Sequence, residues 1–363
     1  MYRALESVLV TGGCGFVGYN IVAKILEIES TCQISVLDRP SSLPQFPTVQ
    51  YFDVDVSSKE DVMAAVRKIR PRVVFHAACT YSLSLPPETH FRINTQGTVN
   101  VLKAVQTLGI TKAFIYHSSS SVIEDGVSSF VNASEDFPVL LPPEQKFPYP
   151  HSKAIAENYV LSSNRKHGIL TMSIRPTGAF GEADTEMTQR LLAVARSGRA
   201  NVQMGDGKNL YDFLYIGNLV HAQLLAADAL LGSQALTGGD SESEEKVDGE
   251  AFQITNDETW LFWDFTRAVA KESGYPVKRN EIKVIPMWVG MLLAFFAEWA
   301  VWILSFGRRE SNLTRHGVRY SSLTRTFNIN KAKKRLGYRP LFSMHEGLQR
   351  TVKWFVENEQ KTK

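Results

Sequence analysis

The sequence predicts an α/β fold, a doubly wound parallel sheet followed by a smaller C-terminal lobe. Three observations lead there. Short β-branched runs alternate with helical patterns through the first half of the 363-residue chain, a glycine-rich turn joins the first strand to the first helix, and the regular alternation fades near residue 180. Alternation of this kind needs crossover connections, and those leave helices on both faces of a parallel sheet.

The elements follow in order. Ser7–Thr11, Gln33–Leu37, Val49–Val54, Val73–His76 and Ala113–His117 read as buried strands, each a short apolar run without a polar face. Phe16–Glu27, Ser57–Ile69 and Asn94–Leu108 read as the helices between them. Tyr149 to about His167 reads as another helix and Ile169–Arg175 as another strand. Beyond residue 180 the pattern is irregular, as expected of a lobe woven onto the sheet. The division is therefore 1–180 for the sheet domain and 181–363 for a substrate-binding lobe interleaved with it. Thr237–Gly249 is acidic, polar and glycine-containing, and reads as an exposed loop.

Composition sets limits. With 44% apolar residues the chain can bury a full core. A net charge of +3 points to no nucleic-acid partner. The three cysteines, Cys14, Cys32 and Cys79, lack paired metal-type spacing. That fits a reducing compartment and leaves no disulfide framework or metal site to expect. The chain opens on a strand-like run, so no cleaved signal peptide is expected.

Ser7–Gly18 reads SVLVTGGCGFVG. Gly12, Gly15 and Gly18, with Phe16 opening the helix, form a strand–turn–helix suited to a pyrophosphate. The turn needs positive φ, the ligand needs close backbone approach, and the helix N-terminus supplies N–H groups. Asp38 ends the second strand, twenty residues beyond Gly18. A carboxylate there accepts ribose hydroxyls and repels a 2′-phosphate, which favours NAD; Arg39 beside it keeps NADP open. Residues 1–180 are thus the expected NAD(P)-binding domain.

Tyr149-Pro-His-Ser-Lys153 places Tyr149 and Lys153 four apart, on one helix face. A phenol is a poor base until a neighbouring cation favours its ionised form. Tyr149 can then take the proton of a substrate hydroxyl as hydride leaves the carbon. Lys153 would also hold the nicotinamide ribose. Ser119, thirty residues before Tyr149 in a run of four serines, would hydrogen-bond the reacting oxygen.

These motifs, in this order, resemble the extended short-chain dehydrogenases/reductases, a Rossmann-fold group. Within them the chain is similar to the 3β-hydroxysteroid dehydrogenase/isomerase family, and most of all to its decarboxylating sterol-4α-carboxylate 3-dehydrogenase branch. The segments that carry the likeness are TGGCGFVG, Asp38, Asp55, His76-Ala-Ala, Asn94-Thr-Gln-Gly-Thr, YPHSK, Arg175-Pro176, Gly205 to Asn218, and Arg325 to Tyr338. The resemblance implies adenine contact for Asp55 and Val56, a wall of the cofactor channel for Ala77, and a nicotinamide-side loop for Pro176 and Gly178. It places Asn94 near the active site, among the catalytic residues. The chain departs from the family at Gly181-Glu-Ala-Asp184, where relatives carry Gly-Pro-Gly-Asp, on a loop that borders the substrate.

Val284–Phe306 is apolar and aromatic with Glu298 as its one charge, followed by Gly-Arg-Arg309. Roughly 20 apolar residues suffice to span a bilayer core. A carboxylate at the centre of a span costs about 2.5–3.5 kcal/mol, so a monotopic or re-entrant segment fits better than a span. A core helix under a steroid pocket is the bland alternative. The expected activity is NAD-dependent oxidation of the 3β-hydroxyl of a sterol or sterol-like terpenoid, with loss of a 4α-carboxylate, at the endoplasmic reticulum membrane with the catalytic domain facing the cytosol. The alternatives are a 3β-hydroxysteroid dehydrogenase with Δ5–Δ4 isomerase activity, a nucleotide-sugar epimerase, and a non-catalytic dinucleotide sensor. A homodimer is compatible with each.

Overall fold

The computed structural model describes residues 2–82, 85–235, 246–306, 311 and 313–361. The first half lays down β1 (Ser7–Thr11), α1 (Phe16–Ile28), β2 (Gln33–Asp38), β3 (Gln50–Asp53), α2 (Lys59–Ile69), β4 (Val73–His76), α3 (Pro87–His90), α4 (Thr98–Leu108) and β5 (Ala113–His117). Then come β6 (Phe130–Ala133), α5 (Pro148–Ser162), β7 (Leu170–Pro176) and β8 (Gly178–Phe180). The rest comprises α6 (Met187–Arg196), β9 (Val202–Met204), β10 (Leu210–Tyr215), α7 (Ile216–Ala235), β11 (Glu250–Ile254), β12 (Thr259–Leu261), α8 (Phe262–Glu272), β13 (Lys283–Ile285), α9 (Met287–Leu304), α10 (Arg315–Tyr320), β14 (Arg325–Phe327), α11 (Asn330–Arg335) and α12 (Met344–Lys361).

Among the described residues the main sheet has seven strands in the order β11-β7-β5-β4-β1-β2-β3, all parallel. One apolar cluster packs α1 and α7 on one face, through Ile21, Ile25, Leu219 and Leu230. Another packs α2, α4 and α5 on the other, through Val62, Val66, Val101, Val105 and Val160. A second sheet, β12-β10-β14-β6 with β8 on β10, builds the lobe beside the carboxyl ends of the first.

The five early strands form where they are expected, but β3, expected to be buried, is the edge strand of the sheet and leaves Gln50 and Asp53 exposed. Two helices differ. The helix expected to reach His167 ends at Ser162. Asn164 then accepts the Thr171 N–H at 2.9 Å and donates to Asp248 at 2.6 Å, and Arg165 and His167 take positive φ. This polar run turns the chain directly into β7. The helix expected from Asn94 begins earlier and is π-wound over Phe91–Gly97 before α4. The irregular second half also hides two regular pieces of the main sheet. β11 is its edge strand, and α7 covers it. Leu219, Ala222, Leu224, Ala226, Ala227 and Leu230 are buried around much of α7, so it lacks the one-sided stripe that marks a helix in sequence. Most of the expected loop at 237–249 lies outside the described residues, as do Gly307, Arg308 and Arg309.

The apolar stretch forms α9, and it is no core helix. Trp288 is 70% exposed, Trp302 58% and Leu304 81%, whereas only Gly290 and Ala294 are buried. Gly290, Ala294 and Glu298 recur every four residues and so share one face. That face meets α10. A Cβ on Gly290 would touch Met204 and Val318, and the Glu298 carboxylate takes the Arg315 backbone N–H at 2.7 Å and its Nε at 2.6 Å. The basic run near residue 333 has a different task. Lys331 pairs with Glu250 at 2.7 Å, Lys333 with Asp257 at 2.6 Å, and Arg335 donates to the Lys246 carbonyl at 3.0 Å. These groups fasten α11 to the β11 edge.

Candidate active site

The glycine turn leaves the carboxyl end of β1 where strand order reverses, with β4 on one side and β2 on the other. Open parallel sheets bind ligands in that crevice. Gly12 has φ +73, and a Cβ there would lie 2.6 Å from the Ala78 backbone nitrogen. At Gly18 a Cβ would lie 2.2 Å from the Gly12 carbonyl oxygen. Both positions require glycine for the turn to close. Gly15 caps α1 without any side-chain cap, Phe16 starts the helix, and its first turn has no acidic residue. The nearest atom to a Cβ on Gly15 is the Gly12 carbonyl oxygen at 3.4 Å, so this backbone can be approached closely. Free N–H groups at a positive helix end suit a diphosphate. Ala77 stands beside the turn, its N–H bonded to the Thr11 carbonyl at 3.1 Å.

Asp38 belongs to the same cradle. One carboxylate oxygen accepts the Cys14 N–H at 2.9 Å and the other the Arg39 N–H at 2.7 Å. Burial raises its pKa and these N–H bonds oppose the rise. Arg39 turns its guanidinium to Asp53 at 3.1 Å, in an exposed pair. Asp55 caps the approach to α2 through the Ser57 N–H at 2.8 Å and pairs with Arg92 at 3.0 Å, while Val56 is buried. Pro176 closes β7, and the Gly178 N–H donates to the Tyr211 hydroxyl at 3.2 Å.

The second group gathers at the ends of β5 and α5. Lys153 is 1% exposed, donates to the His117 carbonyl, and lies 4.5 Å from the Tyr116 ring centroid. Tyr149 lies one turn earlier on α5. Burial pushes the Tyr149 phenol well above its usual range, Cys79 adds to this, and the Ser119 hydroxyl works against it. Burial lowers the Lys153 pKa, while Cys79 and Glu157 oppose that. The serine run also sorts itself. Ser119 caps a 3-10 turn at Ser120–Ile123, Ser120 donates to Glu124 at 3.2 Å, and the Ser121 hydroxyl donates to Ser119 at 2.8 Å. Ser119 therefore keeps its own proton for a partner.

Asn94 does not reach Tyr149 directly. Its amide donates to the Thr80 carbonyl and to the Ser152 hydroxyl, both at 2.9 Å, and its oxygen accepts the Thr80 N–H at 2.8 Å. The π-wound turn aims it inward, tying α5 to the loop after β4. Several groups escape sequence reading. His76 sits between the Thr11 and Thr98 hydroxyls at 2.6 and 2.8 Å, and burial with the Lys153 charge pushes it down to about 3. His117 is likewise held neutral at about 3, by burial and by Lys153. Glu157 is buried against Arg175 at 2.5 Å, with Ser173 donating at 2.7 Å. Its place one turn beyond Lys153 is the one signal the sequence offered for it. Lys153 is thus a buried cation among two neutral imidazoles and a compensated carboxylate.

The profile of the 3-beta hydroxysteroid dehydrogenase/isomerase family matches residues 9–284. The chain belongs to that family. Its members are oxidoreductases that act on a CH–OH group. Among relatives of this family, the decarboxylating sterol-4-alpha-carboxylate 3-dehydrogenase of Candida albicans is 33% identical over 99% of this chain and 100% of its own. A 3beta-hydroxysteroid-dehydrogenase/decarboxylase of Arabidopsis thaliana is 35% identical over 98% of this chain and 81% of its own. Solved structures agree on the extended Rossmann fold. UDP-glucose 4-epimerase of Thermotoga maritima superposes with a TM-score of 0.70 at 20% identity, covering 97% of this chain and 99% of its own. A dTDP-glucose 4,6-dehydratase of Bacillus anthracis gives 0.69 at 19% identity, over 98% of each chain.

Proposed function

We propose that this protein oxidises the 3β-hydroxyl of a 4α-carboxysterol and releases the carboxylate as CO2. The observation that carries the reading is that the 3-10 turn capped by Ser119 packs on α5, which holds Tyr149 and, one turn on, the buried Lys153, in a chain 33% identical to a decarboxylating relative over 99% of its length. A nicotinamide dinucleotide would be held by Gly12, Gly15, Phe16, Gly18 and Asp38, with Ala77, Pro176 and Gly178 along its channel, and would supply the hydride acceptor. Tyr149 takes the hydroxyl proton as the C3 hydrogen departs with its electron pair. Lys153 favours the phenolate that this requires. Ser119 holds the reacting oxygen, and Asn94 positions α5 through Ser152. Once C3 is a ketone, the C4–carboxyl bond breaks and its electron pair moves onto the C3 oxygen. Ser119 and the protonated Tyr149 stabilise that enolate, and C4 then regains a proton. The decarboxylating relatives favour this reading over isomerisation, and a sugar-nucleotide enzyme has no use for α9.

Substrate labelled at the 4-carboxyl tests the reaction. Labelled CO2 and NADH are expected in equal amounts. NADH without CO2, from a substrate lacking the carboxyl and yielding a conjugated Δ4-3-ketone, would support the isomerising alternative instead.

Asp38 favours NAD over NADP, since its carboxylate, held in the cradle by the Cys14 and Arg39 N–H groups, can accept ribose hydroxyls and would repel a 2′-phosphate. Asp38→Ala is expected to cut kcat/KM with NAD by about 10-fold or more, the effect of losing a charge-assisted hydrogen bond. The NAD/NADP ratio of kcat/KM should narrow. A wild-type enzyme faster with NADP would overturn this reading.

For α9 we propose a place in the plane of the endoplasmic reticulum membrane, with the catalytic domain in the cytosol. An 18-residue helix is about 27 Å long, enough to cross the bilayer core. Yet both its approaches stay on one body. β13 before it pairs with β9, and Arg315 after it lies back beside Glu298. The clasp also neutralises the one carboxylate.

A further inference from the structure

We infer that the sterol reaches Tyr149 from the bilayer through the groove between α9 and α10, past a gate made by Phe147 and His316. The inference rests on the in-plane membrane reading of α9. The open groove holds about 320 Å³, lined by Gly126 and Phe147 on one side, Met291 and Glu298 of α9, and Arg315, His316 and Arg319 of α10. That is the lower end of the range for small-molecule sites. Its outer edge is continuous with the apolar surface of α9. Met291 follows Gly290, which faces α10, and precedes Leu292, which is exposed. Its inner end lies at the catalytic helix. Phe147 is the N-cap of α5, two residues before Tyr149, and its ring stands 4.3 Å from that of His316. At the far end of α10, the Tyr320 hydroxyl is bonded to that of Tyr211 at 2.9 Å.

The chemistry asks for such a route. A sterol that left lipid for water would expose its whole apolar area before binding, and a path from lipid along Met291 to Phe147 and His316 shortens that exposure. The gate is tied to the membrane helix. Arg315 clasps Glu298 and the next residue, His316, packs on Phe147, so a shift of α9 against α10 moves the gate with it.

Two experiments test the route. Met291→Trp fills the groove and leaves the exposed face of α9 intact. With substrate carried in phosphatidylcholine vesicles, its kcat/KM should fall at least about 10-fold. The Kd for NAD and co-sedimentation with the vesicles should stay within about 2-fold of wild type. An unchanged kcat/KM with sedimentation intact overturns the route. Lost sedimentation would instead point at the membrane reading. The second experiment uses the wild-type protein and a diazirine-bearing sterol in the same vesicles. Adducts at Met291, His316 or Arg319 that 4α-carboxysterol competes away support the route. Adducts confined to Trp288, Phe296 and Trp302 overturn it, and no adduct on either α9 or α10 overturns both readings.

Discussion

Tyr149→Phe is expected to lower kcat by at least about 10²-fold, the lower end for removing a positioned acid–base group. The Kd for NAD should be almost unchanged, because the glycine turn and Asp38 stand at β1 and β2, away from this hydroxyl. Lys153→Met should lose a similar factor for another reason. The buried Lys153 charge favours the Tyr149 phenolate, against burial that pushes the phenol upward. Without it the phenol ionises at still higher pH. The rate of oxidation, which rises with pH as Tyr149 loses its proton, should then rise later in Lys153→Met than in wild type. Stopped-flow measurement of NADH formation across pH reads both effects. Near-normal turnover of Tyr149→Phe would remove Tyr149 from the reaction. An unshifted pH profile in Lys153→Met would leave Lys153 only a binding role.

Polar replacement of Trp288, Leu292, Phe295 and Trp299 together should move the protein from the membrane pellet to the soluble fraction. Each is well exposed on α9, and full burial of a large apolar side chain is worth roughly 1.5–3 kcal/mol. Four such changes should abolish partition into lipid. The fold should survive, because the packed face of α9 is Gly290, Ala294 and Glu298, which stay as they are. Fractionation with a thermal melt distinguishes the outcomes. A soluble quadruple variant with an unchanged Tm supports the in-plane helix. A soluble wild type would remove the membrane reading, and a collapsed Tm would show that these side chains hold the core.

The catalytic half of the molecule was legible for a physical reason. Strands buried on both faces appear as short apolar runs, and a strand–turn–helix cradle demands glycine at fixed places. Ser7–Thr11, Gly12, Gly18 and Asp38 could therefore be placed from spacing alone. Tyr149 and Lys153 were legible because four residues make one turn. What the spacing could not give was anything set by partners distant in the chain. It could not show that α7 and β11 return to the first sheet, since a helix buried nearly all round has no stripe to read. It could not show that Asn94 is bonded to Ser152.

The local chemistry, then, was determined by the sequence itself: a dinucleotide cradle, a serine at a strand end, a tyrosine and lysine on one helix face, and an apolar helix with one carboxylate. Tertiary structure alone decided how these meet. Folding buries Lys153 against the His117 carbonyl and the Tyr116 ring, and compensates Glu157 with Arg175. It also brings Arg315 back to Glu298, so that an apolar stretch long enough to span a bilayer packs one narrow face on the protein and leaves the other open. Both outcomes depend on charges that pair across long sequence separations. Such pairs form only after the chain has closed on itself, and no local pattern records them.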